Sequence, residues 1–262
     1  MQYPQLTEYI KAISNSADNF DKLSHLRPVL DKDNNPQRNV GGFAVVFKMQ
    51  DEDTGRMYAI KCFHDEQNGR DQAYKAISQT LLNNKSPYLM EVNYFEKELF
   101  VDTIMSDKNE YPVLQMDWID GETMESFIAT HYRDQVVIKD LHEKFCNLAL
   151  WLRSQPFAHG DIKPDNIMVR KDGSLVLIDY DGMFVPELKG KISPTIGTKG
   201  FAHPLRTSED FNRDIDDFAL ASISISLLAI SEDIDLFKNF SNLDRLLFSH
   251  EDYLNLPESK IF

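Results

Sequence analysis

The octapeptide HGDIKPDN, which runs from His159 to Asn166, constrains this chain more than any other stretch of its sequence. It places a carboxylate, an ammonium group and a carboxamide close together, at Asp161, Lys163 and Asn166. Phosphoryl transfer uses these groups in a catalytic loop: a carboxylate that orients and deprotonates a hydroxyl, a cation that neutralises the moving phosphoryl group, and a side-chain oxygen that holds magnesium. The octapeptide therefore predicts phosphoryl transfer from ATP.

The composition is that of an ordinary globular protein with an acidic balance. With 262 residues, of which 42% are hydrophobic, the chain can form one large domain or two small ones. It has 28 lysine and arginine residues against 42 aspartate and glutamate residues, which gives a formal charge of -14. Because this charge disfavours broad contact with nucleic acid or anionic lipid, neither is expected as a partner.

The cysteines and the apolar stretches favour a cytoplasmic protein. Cys62 and Cys146 are too few for a disulfide framework and too isolated for a zinc site, which fits a reducing compartment. The first residues have neither the basic start nor the apolar core of a signal peptide. The longest apolar stretch, from Phe218 to Ile230, is shorter than the roughly 20 residues that cross a bilayer, so we predict a buried helix there.

The chain is predicted to change from mostly β structure to mostly helix near Ile119. Residues 1–36 form an N-terminal extension, and the spacing of Leu6, Ile10 and Ile13 predicts a short amphipathic helix within it. Residues 37–119 carry a β-hairpin, FAVVFK and MYAIKCF around the turn EDTGR. The other elements predicted in this part are a helix over 69–84 and strands over 89–95, 99–105 and 111–118.

Residues 120–262 are predicted to be mainly helical. GETMESFIAT indicates a short helix, and the stretch after Gln135 indicates a long one whose apolar face includes Val137 and Leu141. A hairpin over 167–178 follows the octapeptide, and a buried helix begins near Asp214.

The order of these elements and motifs resembles the eukaryotic-type Ser/Thr protein kinase family over about residues 37 to 230. The stretches DYDGMFVPEL and FAHPLR are similar to a divergent group of bacterial kinase-like domains. The resemblance implies a two-lobed α+β fold with a β-rich N-lobe over residues 37–119 and a mainly helical C-lobe over residues 120–262. Few residues remain after Ile230, so we expect either a reduced C-lobe or a chain that is part of a longer protein.

The resemblance implies roles for the charged residues. Asp161 is the base that accepts the proton of a substrate hydroxyl, and Lys163 reaches the γ-phosphate in the manner of Ser/Thr-specific enzymes. Asn166 and Asp179, the latter in LIDYDG, hold magnesium, and Lys61 in YAIK binds the α- and β-phosphates. ATP and Mg²⁺ are therefore the expected cofactors.

The resemblance also implies a nucleotide-binding set in the N-lobe and hinge. The segment NVGGFAVV stands where the family has its glycine-rich loop, although Asn39 and Ala44 replace two of the three glycines. The residues expected to contact the nucleotide are Gly41, Gly42, Phe43, Val46, Ala59, Met116, Asp117, Ile119 and Met168. Among them, Met116 guards the back of the adenine pocket, and Asp117 to Ile119 form the hinge.

Several positions depart from the family pattern. Gly160 replaces the arginine that receives an activation-loop phosphate in the family, which argues against that form of activation. In DYDG, Tyr180 replaces phenylalanine and Asp181 stands where glycine is expected, either as an extra metal-facing carboxylate or as a solvated loop acid.

A further departure concerns the glutamate that pairs with the lysine in the family. Tyr74 stands at its expected position, and the nearby carboxylates are Asp65, Glu66 and Asp71.

Residues 197–204 are similar to the segment that docks the protein substrate, and we name them the platform segment. Thr198 is expected to hydrogen-bond near Asp161 and Lys163, while His203-Pro204-Leu205 replaces the family's A-P-E. Asp216, at the start of the apolar helix, matches the aspartate that holds the catalytic loop from below, and it also suits a helix N-cap.

These observations favour an ATP-dependent Ser/Thr protein kinase that acts on a protein hydroxyl. Two alternatives stay open. The altered glycine loop and the unplaced glutamate suit a catalytically weak or inactive kinase-like binding module. The HGD triplet also occurs in small-molecule kinases of the aminoglycoside-phosphotransferase type.

Overall fold

The computed structural model describes residues 3–65, 69–241 and 245–261. By its internal contacts the chain divides into an N-terminal unit, Met1–Lys85 with Met90–Trp118, and a C-terminal unit, Ser86–Leu89 with Ile119–Phe262. The first unit is dominated by a β-sheet and the second by helices, which confirms the predicted α+β class. Within the described ranges, no helix has the length and apolar character needed to cross a bilayer.

Six strands form one antiparallel sheet in the described residues of the N-terminal unit. The strands are β1 Leu26–Pro28, β2 Arg38–Val40, β3 Ala44–Asp51, β4 Met57–Phe63, β5 Val92–Phe100 and β6 Glu110–Asp117. They are ordered β1-β3-β4-β6-β5, and β2 pairs with the first part of β3. The predicted hairpin is confirmed as β3 and β4.

One strand prediction was wrong. The segments 89–95 and 99–105 do not form two strands: β5 runs without a break from Val92 to Phe100, with a bulge between Phe95 and Leu99, and residues 101–105 are not part of a strand. The bulged stretch turns Glu98 inward, where its carboxylate accepts hydrogen bonds of 2.7 Å from the backbone amides of Lys22 and Leu23. Burial raises the pKa of Glu98 above its ordinary value.

The N-terminal residues cover one face of this sheet. Helix α1, Leu6–Ser14, and helix α2, Ser16–Asn19, precede β1. Tyr9 and Ile13 on α1 are fully buried against the sheet, and the Tyr9 hydroxyl donates a 2.8 Å hydrogen bond to the carbonyl of Phe63. The core that they share contains Leu26, Val45, Phe47, Met49, Ile60, Cys62, Leu99 and Val113. The predicted amphipathic helix is thus confirmed, and the segment predicted as an extension contributes to the core of the N-terminal unit.

Helix α3, Arg70–Asn83, confirms the helix predicted over 69–84. Its buried side includes Tyr74, Ile77 and Leu81. Tyr74 lies with its ring centroid 5.7 Å from that of Phe63 on β4, so α3 packs on the sheet.

The C-terminal unit combines a small sheet with packed helices. Its helices are α4 Met124–His131, α5 Gln135–Arg153, α6 Asp217–Glu232, α7 Ile234–Phe240 and α8 His250–Leu254. Its strands, β7 Gly121–Thr123, β8 Ile167–Arg170 and β9 Leu175–Leu177, pair in that order and antiparallel. The carboxylate of Asp134 caps α5 by accepting from the amides of Val136 and Val137, and α5 packs against the apolar helix α6.

Two details of this unit differ from the predictions. On α5 the buried face begins with Ile138, while Val137 is only half-buried. The first residues of GETMESFIAT form β7 and not helix, because they pair with β8. Gly121 permits this pairing, since a Cβ there would lie 2.3 Å from the carbonyl oxygen of Val169.

The two cysteines occupy different surroundings. Cys62 on β4 is fully buried, and burial raises the pKa of its thiol strongly. Cys146 on α5 is half-buried. Both are free thiols.

Candidate active site

Asp161 is held by two side chains of the C-terminal unit. The Thr198 hydroxyl donates to Asp161 Oδ1 over 3.0 Å, as the sequence predicted for the platform segment. Asn166 Nδ2 donates to the Asp161 carbonyl over 2.8 Å and approaches its Oδ2 at 3.2 Å. Lys163 Nζ lies 3.8 Å from the same Oδ2. The three groups of the octapeptide therefore meet at one carboxylate whose orientation is fixed.

Asp216 supports the backbone of this loop from below. Its carboxylate accepts the amide of His159 over 2.5 Å and the amide of Gly160 over 2.9 Å. The predicted N-cap role is wrong: within the described chain the Asp216 side chain caps no amide of α6, because it is committed to the loop. Burial raises the pKa of Asp216, and the two amide hydrogen bonds act in the opposite direction.

His159 and Tyr180 hold the loop from the side of the DYDG motif. His159 Nε2 donates to the carbonyl of Ile178 over 2.8 Å, so its Nδ1 is free to accept the amide of Asp161 at 3.4 Å. The ring of Tyr180 lies 5.7 Å from that of His159. Its hydroxyl, absent from the phenylalanine of the family, donates to the carbonyl of Leu177 over 2.8 Å.

Gly160 and Gly182 allow the catalytic loop to touch the DYDG motif. Gly160 has a φ of +84°, and a Cβ there would lie only 1.9 Å from the carbonyl oxygen of Gly182. A Cβ at Gly182 would lie 2.8 Å from the side chain of Thr195. The backbone itself therefore excludes an arginine at position 160, which explains the departure seen in the sequence.

Arg206, which the sequence did not single out, also contacts this loop. Its Nη1 donates to the carbonyl of Gly160 over 2.9 Å, and its Nη2 donates to the carbonyl of Thr195 over 3.2 Å. The signal available in the sequence was the unusual stretch FAHPLR, which ends at this arginine.

A pair of carboxyl groups beside the catalytic loop was also not predicted from the sequence. Glu125 on α4 is hydrogen-bonded to Asp165 of the octapeptide. Burial, followed by this hydrogen bond and the charge of Asp165, raises the pKa of Glu125 to about 7, whereas Lys163 opposes the shift. The Glu125 carboxyl group is therefore only partly ionised near neutral pH.

The predicted metal-binding residues have suitable oxygen donors. Asn166 uses its Nδ2 for Asp161, which leaves its side-chain Oδ1 for a hard cation such as Mg²⁺. Asp179 has a φ of +63°, a conformation that is uncommon for residues other than glycine and costs about 1 kcal/mol or more. Such strained positions concentrate at functional sites.

Four predicted nucleotide-binding residues share one face of the sheet in the N-terminal unit. Val46 is directly opposite Lys61, and Ala59 is directly opposite Met116. Because side chains alternate along a strand, Ala59 and Lys61 point to the same side. Lys61 and Ala59 are buried, with 7% and 8% of their surface exposed. This face is opposite to the one that α1 covers.

Gly41, Gly42 and Phe43 connect β2 to β3. Gly41 donates its amide to the carbonyl of Ala44 over 2.9 Å, which closes a tight turn. A Cβ at Gly42 would meet nothing within 4 Å, and Phe43 is 58% exposed. The turn therefore needs glycine neither for its φ angles nor for space within the described residues.

The remaining predicted residues fall at the end of one unit and the beginning of the other. Asp117 ends β6 and accepts a 2.6 Å hydrogen bond from Arg56. Ile119 begins the second part of the C-terminal unit, and Met168 lies on β8 opposite Thr123 and Val176.

The helix position expected to carry a glutamate is occupied by an aromatic residue. Tyr74 is 3% exposed and stacks on Tyr94 at 6.0 Å. Of the nearby carboxylates, Asp71 accepts a hydrogen bond from the hydroxyl of Tyr94, and Glu66 lies outside the described residues. The structure thus places an aromatic cluster where the family has an acid.

Comparisons with known proteins identify the family. The chain is similar to the interferon-induced, double-stranded RNA-activated protein kinase of Mus musculus, with 24% identity over 230 residues that cover 84% of this chain and 44% of that protein. It is also similar to the serine/threonine-protein kinase PAK 1 of Mus musculus, with 24% identity over 191 residues that cover 72% of this chain and 33% of that protein.

A third relative is the serine/threonine-protein kinase 32C of Mus musculus, with 25% identity over 197 residues that cover 71% of this chain and 35% of that protein. The chain spans less than half the length of each of these relatives. A family model described as "Protein kinase domain" matches residues 39–244, which is more than half of the chain. This match confirms the resemblance and the two-lobed α+β fold class, and the chain belongs to the protein kinase family.

Proposed function

We propose that this chain is an ATP-dependent Ser/Thr protein kinase that transfers the γ-phosphoryl group to a hydroxyl of a protein substrate. The observation that supports this most is the arrangement around Asp161, whose carboxylate is fixed by Thr198 and Asn166 with the ammonium group of Lys163 3.8 Å away. A positioned base beside a cation is what phosphoryl transfer to a hydroxyl requires.

In this proposal each charged residue has a separate task. Asp161 orients the substrate hydroxyl and accepts its proton, and Lys163 neutralises charge that develops on the transferred group. Lys61 contacts the α- and β-phosphates, and Val46, Ala59 and Met116 contact the adenine from the face of the sheet that they share. Asn166 and Asp179 would hold Mg²⁺, which supplies charge neutralisation on the phosphate oxygens.

The rest of the predicted nucleotide-binding set belongs to the same proposal. The turn at Gly41, Gly42 and Phe43 covers the phosphates, and Asp117 to Ile119 supply backbone hydrogen bonds. Met168 packs against the base. We further infer a cytoplasmic setting from the two free thiols, and no nucleic acid or membrane partner from the net charge of -14.

The absence of room at Gly160 supports activation without an activation-loop phosphate. A side chain at that position would collide with the backbone of Gly182, so an arginine cannot stand there to receive such a phosphate. The enzyme would therefore need no prior phosphorylation of the segment that precedes the platform.

The test is phosphate transfer by the full chain with Mg-ATP, with and without casein as a protein acceptor. Intact mass and peptide mapping detect phosphorylated serine or threonine on the chain and on casein. We expect Asp161→Asn to lower the rate by about 10² to 10⁴-fold, the usual contribution of a general base. Thr198→Ser should keep most of the activity and Thr198→Ala should lose it, because only the former retains the hydroxyl that fixes Asp161.

Two results would overturn the proposal. Magnesium-dependent ATP binding without turnover that depends on Asp161 would indicate a non-catalytic binding module. Transfer to an aminoglycoside or choline, with no phosphorylated protein, would indicate a small-molecule kinase.

A further inference from the structure

Arg206 connects two segments that are far apart in the sequence. Its guanidinium group donates to the carbonyl of Gly160 over 2.9 Å and to the carbonyl of Thr195 over 3.2 Å. The first carbonyl belongs to the catalytic loop and the second to the segment that leads into the platform. A planar guanidinium with donors in a rigid fork can bridge two such acceptors, whereas a lysine ammonium is a flexible point donor.

Gly197 leaves space for the guanidinium group of Arg206, and three carboxylates lie near it. Gly197 has a φ of +80°, and a Cβ there would lie 3.0 Å from Arg206 Nη1, so glycine leaves the space that the guanidinium needs. Burial lowers the pKa of Arg206, and the nearby carboxylates of Asp216, Asp161 and Asp210 act in the opposite direction. Arginine stays protonated in proteins, and these three nearby carboxylates favour its charged form.

The carbonyl that Arg206 holds is attached to the proposed base. The carbonyl of Gly160 and the amide of Asp161 form one planar peptide unit, so fixing the former fixes the backbone direction of the latter. The amide of Gly160 is held from the other side by Asp216 at 2.9 Å. Both polar groups of Gly160 are therefore taken by side chains of the C-terminal unit.

The second carbonyl, that of Thr195, fixes the entry to the platform segment. The Thr195 hydroxyl accepts the amide of Gly197 over 3.0 Å, and the residue after Gly197 is Thr198, whose hydroxyl donates to Asp161. A displacement of Thr195 would therefore be passed on to the hydroxyl that orients the base.

We propose that Arg206 is a positioning residue that connects the catalytic loop to the segment leading into the platform. Its guanidinium group thereby keeps the Asp161 carboxylate in hydrogen-bonding contact with the Thr198 hydroxyl. The inference rests on the proposed kinase function for its kinetic consequence, but the structural coupling is independent of it. Arg206 touches no reacting group, and it acts through Gly160 and Thr195.

The experiment compares Arg206→Ala, Arg206→Lys and the control Arg213→Ala in the full chain. Arg213 is an exposed arginine that pairs with the adjacent Asp214, so its removal should change nothing. For Arg206→Ala we expect kcat to fall about 10-fold to 100-fold with KM for ATP within about twofold of the original, since small misplacements of catalytic groups cost rates of this order. Arg206→Lys should be intermediate, and added methylguanidine should restore part of the rate of Arg206→Ala.

A second readout does not depend on activity. Hydrogen-deuterium exchange should become faster in Arg206→Ala at residues 159–161 and 195–198, while the helix α5 keeps its protection. If wild type shows no turnover, the proposed function fails, and the exchange measurement still decides whether Arg206 couples the two segments. Unchanged exchange at both segments would overturn the inference. If Arg206→Ala does not fold, the same comparison in Arg206→Lys decides it.

Discussion

At the residue scale, the backbone conformation of Gly160 predicts a loss of stability on substitution, and Gly190 serves as a matched control. Gly160 and Gly190 have φ angles of +84° and +82°, but only Gly160 has a neighbour that a Cβ would strike. Gly190→Ala should lower the free energy of unfolding by about 1 kcal/mol through its backbone conformation. Gly160→Ala should lower it by about 3 kcal/mol or more, because the contact with Gly182 adds to that term.

Urea unfolding followed by circular dichroism measures both variants. Equal losses of stability would show that the loop can move away from the DYDG motif at no cost. The same result would weaken the explanation given for the missing arginine.

The carboxyl pair of Glu125 and Asp165 predicts a pH-dependent stability. The folded chain raises the pKa of Glu125 from 4.5 to about 7, so the folded state binds this proton more tightly than the unfolded state. Stability from this group is therefore fully present below about pH 4.5 and is lost as the pH rises to about 7. Glu125→Gln removes the ionisation and should be more stable than wild type at pH 8 by a few degrees in Tm, with little difference near pH 4.5.

Thermal unfolding of wild type and variant across this pH range gives the measurement. Glu143→Gln, at an exposed position of α5, serves as the control. Its effect on Tm should be small and should not depend on pH. A difference between Glu125→Gln and wild type that stays constant with pH would contradict the assignment.

The sequence predicted the residues of the site that lie in contiguous motifs. HGDIKPDN and Gly197-Thr198 were sufficient to predict that Thr198 would contact Asp161, and this contact is present. Arg206 and Glu125 were missed because their partners are distant in sequence, and an arginine or a glutamate on its own carries no sign of a partner. Burial and pairing, which give these residues their properties, arise only when the chain has folded.

At the element scale, helix α1 is predicted to stabilise the sheet it covers. Ile13 on α1 is fully buried, whereas the side chain of Lys11 is 72% exposed. Ile13→Ala should lower the free energy of unfolding of the N-terminal unit by about 2 to 4 kcal/mol through loss of buried surface and formation of a cavity. Lys11→Ala should change it by less than about 0.5 kcal/mol.

Trp118 provides a signal for this unit, because the other tryptophan, Trp151, belongs to the C-terminal unit. Denaturant unfolding followed by Trp118 fluorescence in a Trp151→Phe background should therefore show the effect of Ile13→Ala. An unchanged midpoint would mean that α1 does not stabilise the sheet.

Elements with strong local patterns were predictable, and those made by pairing were not. The spacing of Leu6, Ile10 and Ile13 was enough for α1, and the turn EDTGR was enough for the β3-β4 hairpin. The sequence predicts helix where β7 lies because Gly121 to Thr123 show no alternation of polar and apolar residues, and their strand conformation comes from pairing with β8. In β5 a bulge connects two segments that the sequence predicts as separate strands. The buried Glu98 of this strand accepts hydrogen bonds from the amides of Lys22 and Leu23, and partners so distant in sequence could not be predicted.

At the scale of the whole molecule, the net charge of -14 predicts that the chain does not bind polyanions such as DNA. A duplex DNA probe should show no measurable binding at physiological salt, because few phosphates could be neutralised and the overall field repels them. A mobility-shift titration with rising salt tests this. Binding that weakens steeply with salt would reveal a local basic surface and contradict the prediction.

The two free thiols are distributed one to each unit, Cys62 in the first and Cys146 in the second. A thiol-reactive label should reach the half-buried Cys146 in the native state, but it should reach Cys62 only when the sheet opens around β4. In a Cys146→Ser background the labelling rate of Cys62 would then report how often the sheet that carries Lys61 opens. The labelling rate of Cys62, measured by mass spectrometry, would therefore give the frequency of transient opening of the N-terminal unit without any substrate.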